Sequence, residues 1–127
     1  MKHCKNIETS MQNYFHLLID ISTVKSLKCY KCADIIRIEA NGSYTVFYFS
    51  DGSKITDTRS LKSYQNILPS CIFFRAHSSH MVNSHYIDEY LYKEAKLVLI
   101  DKTKIPMSRL RLKDFREHIS MFCVSGR

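Results

Sequence analysis

Short runs rich in β-branched and aromatic residues dominate the chain and predict a mainly β fold. The predicted strands are residues 15–21, 24–32, 34–40, 44–49, 54–58, 73–77, 86–91 and 96–100. The turn dipeptides Asn41-Gly42 and Asp51-Gly52 separate three of these runs, which indicates two consecutive hairpins. The strands are therefore expected to pair as an antiparallel meander.

The hydrophobic period becomes helical in two places. The first helical segment follows two candidate N-caps, Asp57 and Thr58, and ends at Pro69. Its apolar stripe is Leu61, Tyr64, Ile67 and Leu68. The second place begins at the candidate N-cap Ser108, and its stripe is Leu112, Phe115, Ile119 and Phe122. Between the two predicted helices, Ser78, Ser79, Asn83 and Ser84 indicate a polar loop.

Length and composition fit one packed domain. The chain has 127 residues, of which 45% are hydrophobic, enough for a core and too many for a disordered chain. We expect a polar lead-in at residues 1–13, the domain at 14–122 and a tail at 123–127. The longest apolar run, Leu97–Ile100, is far too short to span a bilayer. No membrane segment is expected.

Five cysteines without an apolar secretory segment near Met1 predict free thiols in a reducing cytoplasm. Cys29 and Cys32 have the spacing used in zinc and redox sites. However, the chain has no second pair of this kind, and a strand at these positions would point the two thiols to opposite faces. We interpret the spacing as coincidence and expect no metal or other cofactor.

Positive charge is concentrated at both ends of the chain. The net charge is +7, with +3 on residues 1–33, zero on 34–74 and +4 on 75–127. Basic surfaces suit phosphate polyanions, because each neutralised phosphate releases a counterion. Ordinary solubility charge and a basic surface for an acidic partner or an anionic membrane are the alternatives.

Two groups of residues carry candidate chemistry. His77, His80 and His85 suggest a metal cluster or, with a nearby serine, nucleophilic catalysis. The chain has no Gly-x-Ser-x-Gly elbow, and the loop lacks the carboxylate that usually orients metal-bound histidines, unless Asp88 serves. Such hydrogen-bonding loop residues also suit contacts to phosphates and base edges. We therefore expect no enzyme activity.

Arg109 and Arg111 fall at the start of the last predicted helix, followed by Lys113 and Arg116. A forked guanidinium at a helix N-terminus suits phosphate or guanine recognition. A solvated helix face is the alternative interpretation.

In order and spacing, five blocks of sequence together resemble the LytTR family of DNA-binding domains over roughly residues 15–120. The blocks are residues 34–45 (DIIRIEANGSYT), 60–62 (SLK) before Leu68-Pro69, 74–83 (FRAHSSHMVN), Ile87, and 105–109 (IPMSR). The resemblance implies a mainly β fold, an elongated stack of small antiparallel β-sheets with two short helices. It also implies a cytoplasmic bacterial transcription regulator, often the output domain of a two-component response regulator.

Family members contact double-stranded DNA from loops that enter successive major grooves. By position, the resemblance places these loops at 41–45, 77–79 and 108–111. The implied DNA-binding residues are Asn41, Ser43, Tyr44, His77, Ser78, Ser79, Arg109 and Arg111. Arg75 and Asn83 belong to the motif either as DNA contacts or as supports of loop geometry.

Two features depart from the family's pattern. At the position of Ser78, which is short, the family often has a long polar or basic side chain. The base preference that family members have at this point is therefore not expected to apply to this chain. The lead-in is too short to fold as a receiver domain, so the chain is expected to be a stand-alone version or a fragment of a longer regulator. The family also allows a homodimer on the DNA.

Overall fold

Ten strands and two α-helices form residues 17–121, the part of the chain that the computed structural model describes. The first five strands are β1 (Leu18–Ser22), β2 (Leu27–Lys31), β3 (Ile35–Asn41), β4 (Tyr44–Phe49) and β5 (Lys54–Asp57). The other strands are β6 (Phe73–His77), β7 (His80–Asn83), β8 (Ile87–Leu91), β9 (Lys96–Leu99) and β10 (Lys104–Pro106). The helices are α1 (Leu61–Ile67) and α2 (Leu112–Ile119), and 3₁₀ turns occupy Cys32–Asp34, Ser84–Tyr86 and Arg109–Arg111.

The strands form three separate antiparallel sheets. β1 and β2 form a hairpin, β8, β9 and β10 form a second sheet, and the largest sheet has the order β5-β4-β3-β7-β6. This arrangement confirms the predicted mainly β fold of small antiparallel sheets with two short helices. No helix within residues 17–121 is long and apolar enough to cross a membrane.

The five-stranded sheet has a hydrophobic core on each face. Strict alternation would place Ile36 and Ile38 of β3 on the same face. The pairing register shifts between Ile35 and Arg37, so Ile35 and Ile38 enter one core while Ile36 enters the other. The first core also contains residues of the β1–β2 hairpin and α1. The second core contains residues of β9 and β10, and Phe115 of α2 packs against it. Burial on both faces explains why the middle strands are so apolar.

The structure corrects two predictions about the middle of the chain. Helix α1 is capped by Ser60, whose Oγ accepts the backbone N–H of Ser63 at 3.1 Å, and not by Asp57 or Thr58. Asp57 instead ends β5, paired with Thr45. Residues 80–83, predicted as part of a polar loop, form β7, because Met81 and Val82 are buried on opposite faces of the sheet.

The last helix also begins differently from the prediction. A 3₁₀ turn at Arg109–Arg111 precedes α2, and Ser108 makes no side-chain cap hydrogen bond. Two members of the predicted apolar stripe, Leu112 and Phe115, pack against the second core. Phe15 of the first predicted strand and Phe122 of the last stripe lie outside the described residues, as do the predicted lead-in and tail.

The cysteines differ from one another in their surroundings. Cys29 is exposed on β2, whereas Cys32 is buried in a 3₁₀ turn, and both are free thiols. Burial raises the pKa of Cys32 to about 11, which makes it a poor thiolate ligand. Cys71 is disulfide-bonded, so the expectation of free thiols throughout is wrong at this position.

Candidate nucleic-acid interface

The three predicted contact segments are joined by hydrogen bonds in the folded chain. We call residues 41–45 the first segment, 77–79 the second and 108–111 the third. The backbone N–H of Ala40, next to the first segment, donates to the carbonyl oxygen of Ser79 at 2.9 Å. Arg111 of the third segment donates to the carbonyl oxygen of Arg75, two residues before the second, at 2.7 Å.

The first segment is the turn between β3 and β4. Gly42 has a positive φ of 63°, a conformation that other residues adopt at a cost, so this glycine allows the tight turn. Asn41, Ser43 and Tyr44 are exposed, and Tyr44 has 52% of its surface accessible. Thr45 differs, because it is buried and its hydroxyl donates to the carbonyl oxygen of Arg59 at 2.6 Å. It supports the turn from inside.

The second segment connects β6 to β7 and is held in shape by Arg75. The guanidinium donates to the carbonyl oxygens of His77 and Ser78 at 3.0 and 2.6 Å. It also donates to Oε1 of Gln65 on α1 at 2.5 Å. Burial and the nearby charge of Arg111 lower the pKa of Arg75. Because the guanidinium donates to neutral oxygens, Arg75 shapes the loop and adds positive charge beside it.

His77 presents one ring nitrogen outward. The backbone N–H of Ser79 donates to His77 Nδ1 at 3.0 Å, which places the proton of the neutral ring on Nε2. His77 and Ser78 are exposed, whereas Ser79 is half-buried. The segment therefore offers a ring N–H donor and a short hydroxyl to solvent.

The two arginines of the third segment are bound to the rest of the protein in different ways. Arg109 is exposed and donates through one nitrogen to the carbonyl oxygen of Lys93 at 3.0 Å. Arg111 is half-buried, forms an ion pair with Asp114 at 2.7 Å and lies 5.1 Å from the ring centre of Phe74. Together with its bond to the Arg75 carbonyl, these contacts make Arg111 a link between segments.

An open cleft of about 470 Å³ lies between the second and third segments. Its walls include His77, Ser78, Ser108 and Arg111. Tyr44 of the first segment borders a different cleft, of about 520 Å³, together with Thr23 and Arg59. The second and third segments thus share one concave surface, and the first adjoins it through the bond from Ala40.

Asn83 has a structural role. It is fully buried, its side-chain amide donates to the carbonyl oxygen of Ile35, and its Oδ1 accepts the backbone N–H of His85. Gln65 and Lys93, which hold Arg75 and Arg109, were not predicted as site residues. Their roles depend on contacts across 10 and 16 positions of sequence, which no local pattern indicates.

The predicted histidine group brings two of its members together. His77 and His80 have ring centres 5.6 Å apart, and burial lowers the pKa of both His80 and His85. Among residues 17–121, no three His, Cys, Asp or Glu side chains form a group that could hold a metal ion.

A mainly antiparallel β domain whose connected polar loops carry arginine, histidine and serine donors has the groups that nucleic-acid-binding domains use for phosphates and base edges. The sequence matches the model of the LytTr DNA-binding domain over residues 25–120. The chain therefore belongs to this family, and the predicted DNA-binding domain is confirmed.

Known relatives and a solved structure agree with this assignment. The chain is 30% identical over 88 residues to the heme-containing CO-sensing transcriptional regulator RcoM 1 of Paraburkholderia xenovorans (strain LB400), and 28% identical to RcoM 2. Each match covers 66% of this chain but only 33% of the regulator. The fold is similar to that of a LytTr DNA-binding domain of a Bacillus cereus protein described as a methyl-accepting/DNA response regulator. That match has a TM-score of 0.67 at 21% identity, covering 80% of this chain and 95% of the other.

Proposed function

We propose that this domain regulates transcription by recognising specific double-stranded DNA through the three contact segments. The observation that carries the proposal is the pair of hydrogen bonds that joins them, from Ala40 to Ser79 and from Arg111 to Arg75. Loops fixed to one another in this way can reach base edges at defined spacing. The proposal includes no catalytic step.

The side chains divide into two roles under this proposal. The exposed group, which would contact DNA, is Asn41, Ser43, Tyr44, His77, Ser78 and Arg109. Ser79 and Arg111 mainly hold the segments in place. The backbone of Ser79 is hydrogen-bonded to His77 and Ala40, and Arg111 binds the Arg75 carbonyl and Asp114. Arg109 is the strongest candidate for a base contact, since its fork matches guanine O6 and N7 and only one of its nitrogens is hydrogen-bonded within residues 17–121.

The relatives suggest how the domain is used. Their names describe transcriptional regulators, and this chain matches one third of their length. We propose that it supplies DNA binding in a bacterial cytoplasmic regulator, alone or joined to a sensing part. An N-terminal receiver domain and a homodimer on the DNA stay predictions.

The test begins by selecting preferred sites from a random duplex library. Affinity for the selected site and for a scrambled site is then measured at two salt concentrations. We expect Arg109→Ala to weaken binding to the selected site by ~1–3 kcal/mol and to relax preference at one base pair. The matched control is Arg116→Ala on α2, which should weaken both duplexes alike and lower the salt slope by about one unit.

Two outcomes would contradict the proposal. If Arg109→Ala and Arg111→Ala both fold and keep full affinity, the third segment does not contact DNA. If the protein selects no sequence but binds anionic lipid vesicles, the basic surface serves a membrane or an acidic partner instead.

A further inference from the structure

Leu110 is an apolar side chain exposed in the middle of the third contact segment. Of its surface, 92% is accessible, although leucine gains stability when it is buried. Within residues 17–121 it belongs to neither hydrophobic core and packs against neither. Folding therefore does not explain why a leucine occupies this position.

The turn around Leu110 is fixed on both sides. Arg109 is bound to the Lys93 carbonyl, and Arg111 is bound to the Arg75 carbonyl and to Asp114. The backbone N–H of Arg111 also donates to the carbonyl oxygen of Ser108 at 3.0 Å, which closes the 3₁₀ turn. These contacts hold the backbone while the leucine side chain projects into solvent beside the cleft of the second and third segments.

The major groove of B-DNA offers an apolar partner for such a side chain. Each base edge there presents hydrogen-bond donors or acceptors, and thymine alone among the four bases adds a methyl group, on C5. A leucine has no hydrogen-bonding atoms, so it distinguishes bases by contact with this methyl group and by exclusion of water from it.

We propose that Leu110 contacts the C5 methyl group of a thymine and makes the domain prefer thymine at one position of its site. This inference rests on the proposed function, because it requires the third segment to face the major groove. It adds an apolar contact beside Arg109, in a segment whose predicted contacts are all polar. Thymine discrimination would thus come from a residue that carries no charge.

The experiment combines a protein change with a DNA change that removes the same contact. In the selected duplex, each thymine is replaced in turn by deoxyuridine, which lacks only the C5 methyl group. At one position we expect the substitution to weaken binding of the unchanged protein about fourfold, the effect of one buried methyl group. Leu110→Ala should bind the thymine duplex at least that much more weakly, and its affinity should no longer depend on the methyl group at that position.

Leu18→Ala is the matched control, because Leu18 is also exposed, at 58%, and lies on β1 outside the three segments. This variant should bind the thymine duplex and the deoxyuridine duplex as tightly as the unchanged protein does. If Leu110→Ala keeps full affinity, or if every deoxyuridine duplex weakens both proteins equally, the inference is wrong. Arg109→Ala then decides separately whether the third segment binds DNA, so failure of this inference can be distinguished from failure of the proposed function.

Discussion

Asp57 is a buried carboxylate at the end of β5, and its contacts come from three directions. The hydroxyl of Tyr64 donates to Oδ2, Arg59 Nε donates to the same oxygen at 3.0 Å, and the backbone N–H of Thr58 donates to Oδ1 at 2.7 Å. Burial opposes ionisation, but the hydrogen bonds from Tyr64 and Arg59 hold the pKa of Asp57 below its usual value. Arg59 also reaches the carbonyl oxygen of Asp20, which fastens the β1–β2 hairpin to the large sheet.

Removing one donor from this carboxylate should destabilise the fold. We expect Tyr64→Phe to lower the free energy of unfolding by about 1–2 kcal/mol, measured with urea at pH 7. The ionised, hydrogen-bonded Asp57 stabilises the fold above its unfolded pKa, and this contribution is lost as pH falls through the lower folded pKa. The difference between the two proteins should therefore shrink below about pH 4. Tyr92→Phe, at an exposed tyrosine, should change stability by less than about 0.5 kcal/mol.

His118 is a half-buried ionisable side chain of α2. It is hydrogen-bonded to Ser84, and its ring centre lies 5.1 Å from that of Phe74 in the second core. Burial lowers the pKa of His118 to about 4. The ring is therefore neutral near pH 7, and it must gain a charge against its surroundings in acid.

The low pKa of His118 predicts acid sensitivity. Between pH 6.5 and 4 the unfolded chain binds more protons than the folded one, so the free energy of unfolding falls as pH falls through this range. At pH 5 the loss from this group is about 1–2 kcal/mol, reduced from the full shift because the ring is partly exposed. His118→Gln should remove this part of the pH dependence of the free energy of unfolding, measured with urea. The contribution of His80 and His85 to the pH dependence should stay. Equal slopes in both proteins would contradict the assignment.

At the scale of elements, helix α1 shows how a cap is chosen by the surrounding structure. Thr58 and Ser60 both have hydroxyls, but only Ser60 directly precedes Leu61, the first residue of the helix. The helix has seven residues, too few to be stable in isolation, so its packing and its cap decide whether it forms.

Two single substitutions distinguish the observed cap from the predicted one. Ser60→Ala should lower the free energy of unfolding by ~1 kcal/mol, because the N–H of Ser63 loses its acceptor. Thr58→Ala, at an exposed residue without a capping bond, should change it by less than about 0.5 kcal/mol. A larger effect at Thr58 than at Ser60, measured by urea unfolding, would show that the cap is misassigned.

For the whole molecule, the charge of +7 acts on DNA mainly through the phosphates. If the domain neutralises about five phosphates, log affinity should fall linearly with log salt, with a slope near −4.5. That slope corresponds to a fall in affinity of at least a hundredfold between 50 mM and 200 mM salt, because the release of counterions is less favourable at high salt. Titrations of one duplex at four salt concentrations measure the slope, and an affinity independent of salt would count against DNA as the ligand.

The sequence by itself determined the strand-rich fold, both helical segments and the family. Alternation and the two glycine turn dipeptides are local signals, and β3, β4 and β5 lie close to where those signals place them. The five blocks, taken together in their order and spacing, identified the family, because they extend over most of the chain. The site residues carried over from the family remain predictions.

The tertiary structure decided which polar residues face solvent and which hold the loops. Asn83, Thr45 and Arg75 belong to the family motif or to a predicted segment, yet each bonds to a distant part of the chain, at Ile35, Arg59 and Gln65. The tertiary structure also decided that β7 is a strand, because burial of its side chains on both faces of the sheet outweighs the polar residues around them in the sequence. Such contacts join residues far apart in sequence, and hydrophobic period and turn chemistry carry no information about them.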